Sequence, residues 1–81
     1  MSEPERPTMR IESPCPAALR DDPAFRPEVI FAPLARAQAR LTFPRCQVQC
    51  VVPQTTWSAL PGRPEQLRIV THWQVIPEPQ P

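Results

Sequence analysis

The 81-residue chain has no lysine, no tyrosine, no asparagine and a single glycine, Gly62. Most of these absences remove a class of chemistry. One glycine is too few for a Gly-rich loop that cradles phosphates, and it excludes a collagen-type repeat despite 14 prolines. Without lysine or tyrosine there is no amine for a Schiff base and no phenol for acid–base work, and His72 is the only imidazole. No nucleophile stands in a motif, so the chain is expected to be non-enzymatic, with no cofactor and no small-molecule substrate. Long apolar runs are missing too. Val29 to Ala35, broken by Pro33, falls far short of the roughly 20 apolar residues of a membrane span. The opening Met-Ser-Glu-Pro-Glu-Arg-Pro lacks the apolar stretch of a secretory signal. Cys15, Cys46 and Cys50 are odd in number, which argues against a closed disulfide framework. Together these features point to a cytoplasmic protein with free thiols and no membrane contact.

What remains is rich in proline and arginine. The formal net charge is +1, so no global field draws nucleic acid or an anionic membrane surface. Lysine, asparagine and tyrosine share A/T-rich codons, whereas proline, arginine and alanine share G/C-rich ones. The all-arginine basic set is therefore read as a mark of the gene's base composition rather than of guanidinium chemistry.

Residues 1–27 carry Pro4, Pro7, Pro14, Pro16, Pro23 and Pro27 among mixed charges, with only Met9, Ile11, Leu19 and Phe25 as sizeable apolar side chains. That is too little apolar surface to offset backbone ordering at roughly 1–2 kcal/mol per residue. The segment reads as a stiff extended or disordered arm, with one helical turn at 17–21. From Glu28 the character changes. Glu28–Ala32 suits a strand and equally the lead-in to a helix. Pro33 belongs in a first helical turn, and Leu34–Leu41 consists of good helix formers stopped by Pro44. At about 100° per residue, Leu34, Ala37, Gln38 and Leu41 share one face and Arg36 and Arg40 lie opposite. A helix this short must pack on something.

The period then switches to two. Cys46, Val48, Cys50 and Val52 alternate with Gln47 and Gln49, a half-buried strand ended by Pro53. Gln54–Leu60 reads as one helical turn with Trp57 and Leu60 facing inward, and Leu60-Pro-Gly-Arg63 has the composition of a type II turn. Leu67–Ile76 is the clearest strand, with Leu67, Ile69, Thr71, Trp73 and Val75 on its apolar side. The expected fold is therefore a small α+β core at 28–77 of two or three antiparallel strands and one short helix. Proline-rich extended arms flank it at 1–27 and 78–81.

A core of roughly fifty residues buries only about 60% of its unfolded surface or less and leaves strand edges open. A partner is the simplest remedy, either a second copy pairing through the 67–76 strand or a larger protein. Leu67, Ile69, Thr71, Trp73 and Val75 are accordingly the expected interaction strand. The alternative is a small nucleic-acid-binding regulator using Arg36, Arg40 and Arg45, because between Val29 and Pro77 five arginines face only Glu65. Metal binding is not expected. Cys46, Cys50 and His72 are the candidate ligands, with Cys15 a fourth in the arm. Cys46 and Cys50 on one strand would stand about 13 Å apart, too far for one tetrahedral ion.

Overall fold

The computed structural model of the chain describes residues 6–78. It is an α+β fold with a four-stranded antiparallel sheet: β1 (Thr8–Pro16), β2 (Cys46–Cys50), β3 (Thr56–Ala59) and β4 (Gln66–Pro77). Two helices, α1 (Pro27–Ile30) and α2 (Ala32–Ala39), lie between β1 and β2 in the chain. Every pairing in the sheet is to β4. β1 runs along one side of it, while β2 and β3 share the other, β2 beside Trp73–Pro77 and β3 beside Leu67–Val70.

The central position of β4 follows from its composition. One side of the strand, Ile69, Thr71, Trp73 and Val75, is buried almost completely. Directly opposed residues in an antiparallel pair share a face. The register therefore places Met9, Ile11, Ser13 and Cys15 of β1, Cys46, Val48 and Cys50 of β2, and Trp57 of β3 on that same inner face. Arg10, Glu12, Gln47, Gln49, Arg68, His72 and Gln74 occupy the outer face, which no helix covers. Thr71, the one polar residue buried outright among the described residues, is satisfied internally. The Trp73 indole N–H donates to Thr71 Oγ1 at 2.8 Å, and that hydroxyl donates to the Ile11 carbonyl at 3.4 Å. Thr71→Val removes the acceptor at nearly constant volume and strands a buried indole N–H. It is expected to cost about 1–3 kcal/mol, read from the midpoint of urea unfolding.

Of the arm expected at 1–27, the described part, residues 6–27, does not stand outside the core. β1 is an integral strand, the 3₁₀ turn at Ala17–Asp21 closes it, and Phe25 packs on Trp57 with ring centroids 5.9 Å apart. The reason lies in where the prolines stand. The Val75 N–H donates to the Pro7 carbonyl and the Ala17 N–H to the Glu65 carbonyl, so odd-numbered residues of β1 turn their main-chain groups toward β4. Pro14 and Pro16 are even-numbered, and their missing N–H groups would have pointed away from the sheet. Proline is tolerated on an edge strand in that arrangement. Residues 1–5, with Pro4, and the tail residues 79–81 lie outside the described residues.

Other elements match or shift. The long strand at 66–77 and the 3₁₀ turn at 17–21 fall where the sequence places them, whereas the strand expected to run to Val52 stops at Cys50, and Val52 is exposed in a 3₁₀ turn. Gly62 has φ 76°, and the Arg63 N–H donates to the Leu60 carbonyl at 3.1 Å, as a turn with glycine at its third position requires. Gly62→Ala would meet no neighbour but would strain the backbone, lowering the thermal midpoint without altering the fold. Glu28–Ala32, for which strand and helix both remained open, is helical: α1 takes Pro27–Ile30 and α2 begins at Ala32. The expected helical turn at 54–60 is instead β3, preceded by a 3₁₀ turn at Val52–Gln54. Alternation of Trp57 with Thr56 and Ser58 suits the pleat, and the free half of β4 supplies the pairing partner.

Candidate functional site

The face that α2 presents to the sheet is not the one its leucines mark. Ala35 and Ala39, four residues apart and so on one side of the helix, are buried at 0% and 5% exposure. Ala35 packs with Ile11 and Trp73, and Ala39 with Cys46 and Val75, while Phe31, Ala32 and Phe43 fill the margins. The alanines let the helix backbone approach the sheet closely, and Trp73 fills the remaining volume. Leu34, Ala37, Gln38 and Leu41, which share one face by helical spacing, all face solvent, Leu34 at 51% and Leu41 at 86% exposure. Val29 and Ile30 on α1 are exposed as well, at 61% and 58%. The helical layer is thus apolar on two sides, of which the sheet covers one.

The other candidates fall elsewhere. β4 does not offer a strand edge to a partner, because β1 occupies one side and β2 and β3 the other. Its apolar residues Ile69, Thr71, Trp73 and Val75 are core, and Leu67 is half-buried opposite Cys15. This corrects the expectation of an interaction strand. The sequence signal was burial, which a central strand and a docking strand share.

Cys46 and Cys50 lie on the inner face, whereas His72 is on the outer face opposite Arg10. The three candidate ligands therefore do not converge, and among the described residues no three His, Cys, Asp or Glu side chains are grouped to hold a metal ion. The depression beside His72 is lined by Thr8, Met9, Arg10, Val51, Gln54, Trp73 and Gln74, with no carboxylate or thiol among them. A Cys–His pair is excluded by the same opposition of faces.

All three thiols are free. Burial pushes the Cys15 thiol up from its ordinary value. Cys50 is pushed up by burial first and by the Glu28 carboxylate second. The Thr55 hydroxyl pulls it the other way, the smallest of the three influences. In the unfolded chain both thiols ionise at lower pH than in the fold. The stability they contribute is therefore present at neutral pH and is lost as pH rises through the ordinary thiol range. Urea midpoints measured from about pH 7 to pH 10 should fall above about pH 8.5, and a Cys15→Ala/Cys50→Ala variant should show a flatter profile. A slope as steep in the variant as in the parent would refute the assignment.

Arg36 is half-buried on α2, and Arg40 and Arg45 are exposed at the two ends of the α2–β2 connection. Among the described residues none of the three has a carboxylate within ion-pair distance. No described helix is long and apolar enough to cross a membrane. Compared with known proteins, no family model matches the chain, and neither a curated protein nor a solved structure of detectable similarity was found.

Proposed function

We propose that this is a small non-enzymatic interaction protein of the cytoplasm, whose helical surface docks on a larger protein. One observation carries the reading: Val29 and Ile30 of α1, Leu34 of α2 and Leu41 just beyond it are more than half exposed, while the Ala35–Ala39 side of α2 rests on the sheet. Folding has no use for these side chains in solvent, and several large exposed apolar side chains on neighbouring elements are the kind of surface that interaction sites use. The partner that fits is a protein with an apolar groove that receives these side chains. The three free thiols support the cytoplasmic placement.

The test pairs two baits in affinity capture from the native host, the parent chain and a Leu34→Glu/Leu41→Glu variant. Both positions are exposed, so the variant should keep its circular dichroism spectrum and thermal midpoint within about 0.5 kcal/mol of stability. A protein retained by the parent and lost by the variant is the expected result, and identical capture by both would sink the reading.

The second reading is nucleic-acid binding through Arg36, Arg40 and Arg45, favoured by the absence of ion-pair partners for these three among the described residues. It requires retardation of DNA or RNA at low salt, with log affinity falling linearly in log salt. Arg40→Glu/Arg45→Glu should abolish that retardation, and a parent chain that retards neither nucleic acid at low salt removes the reading.

A further inference from the structure

The free edge of β1 has an unusual distribution of hydrogen-bonding groups. Its even-numbered residues direct their main-chain groups away from β4. Thr8, Arg10 and Glu12 therefore present N–H and C=O groups outward, whereas Pro14 and Pro16 present only carbonyls. No strand of the described residues pairs with this edge. α2 packs chiefly on β2, and Thr8, Arg10, Glu12, Pro14 and Pro16 along the β1 edge are all exposed. An open edge of this kind is a template for another strand, and natural proteins usually blunt it with proline or charge. Here proline blunts one half. The other half carries one charge of each sign, Arg10 and Glu12, whose side chains form an ion pair of 2.9 Å on the outer face.

We propose that two copies of this chain join antiparallel through the free edges of β1, about a two-fold axis at Ile11. Three considerations favour this register. Outward main-chain groups belong to even-numbered residues, so even must meet even across the axis. A two-fold axis at Arg10 would set arginine directly opposite arginine, and one at Glu12 would set glutamate opposite glutamate, each unfavourable. An axis at Ile11 sets Arg10 opposite Glu12 of the second copy and Glu12 opposite its Arg10. In that register Arg10 and Glu12 exchange reciprocal main-chain hydrogen bonds across the axis. The Thr8 N–H reaches the carbonyl of Pro14 in the second copy, a position where the missing proline N–H matters least. The four charges then alternate in sign around the axis. On the inner face the two Ile11 side chains meet, and the half-buried Met9 and Ser13 of the opposing copies are brought side by side. The other edge of the sheet offers nothing comparable. It is divided between two short strands, and β2 carries uncharged Gln47 and Gln49 on its outer face.

This adds a second copy of the chain to the interaction reading above, on a different surface, and it stands or falls separately. Sedimentation velocity of the full chain is the test, with four variants beside the parent. The parent is expected to be a dimer at ~100 µM. Glu12→Pro removes an N–H that points away from β4, and so should keep the circular dichroism spectrum while giving a monomer. Arg10→Glu turns both cross-axis pairs into like charges and should weaken the dimer about tenfold. Arg10→Glu combined with Glu12→Arg re-creates opposite charges across the axis and should restore the parent's dissociation constant. Leu34→Glu should leave the dimer intact. A monomeric parent, a folded Glu12→Pro dimer, or a charge exchange that fails to rescue would each overturn the proposal. Loss of the dimer with Leu34→Glu would do so too, by moving the interface to the helical surface.

Discussion

Trp73→Ala is expected to cost about 3–5 kcal/mol and to leave most of the chain unfolded at ambient temperature. Trp73 is 1% exposed and stands at the meeting point of β1, β2 and β4, opposite Met9 on one side and Cys50 on the other. Its ring fills the space that Ala35 leaves beneath α2. Truncation would open a cavity under the helix and remove the donor that satisfies Thr71 Oγ1. A domain of this size has a total stability of only several kcal/mol to lose. Trp73→Phe keeps much of the volume and loses only the indole N–H, so its urea midpoint should fall between those of the parent and the alanine variant. A Trp73→Ala chain that unfolds at the parent's midpoint would show that the inner face is not the core.

The second large effect concerns two neighbouring residues on α2. Ala35→Leu should destabilise by about 1–3 kcal/mol, because a residue of 0% exposure pressed against Ile11 and Trp73 has no room for three further carbons. Leu34→Ala, one position away, should change stability by no more than about 0.5 kcal/mol. Enlarging an apolar residue would thus harm the fold while deleting a leucine leaves it unmoved. Thermal and urea unfolding of both variants measures this directly. Equal losses at the two positions would mean that the leucine face also packs within the monomer.

That pair also shows where the sequence could be read and where it could not. β4 and β2 announce themselves because apolar and polar residues alternate over Ile69–Val75 and Cys46–Cys50, and the only glycine marks the one turn that needs positive φ. The orientation of α2 was hidden, since hydrophobicity ranks Leu34 and Leu41 above Ala35 and Ala39. Close approach to a sheet that already carries a tryptophan selects the smaller side chains. β1 was hidden by its prolines. Met9, Ile11 and Cys15 do alternate, but Ser13 interrupts the pattern, and Pro14 and Pro16 read as breakers until the strand is known to be an edge. Their spacing of two was the available signal, because prolines on the same side of an edge strand cost the ladder nothing. Trp57 was legible as an inward residue but not as part of a strand, which depended on β4 having an unoccupied half. For the proposed interaction surface, the residues of the 34–41 face were visible from the start. Only the structure reveals that the sheet is covered by the other side of the helix.

The dependence of every strand on β4 has a consequence during synthesis. β1 leaves the ribosome some sixty residues before its partner Gln66–Pro77, and β2 and β3 await the same strand. No two of the earlier strands pair with each other. The sheet therefore cannot begin to assemble on the nascent chain until β4 has emerged, and the earlier segments must stay soluble without it. Such long-range closure slows folding and lengthens exposure of unpaired segments. Prolines at alternate positions of β1 deny a stray neighbour a full set of donors during that interval, so residues tolerated at the edge of the finished sheet also protect the unfinished one.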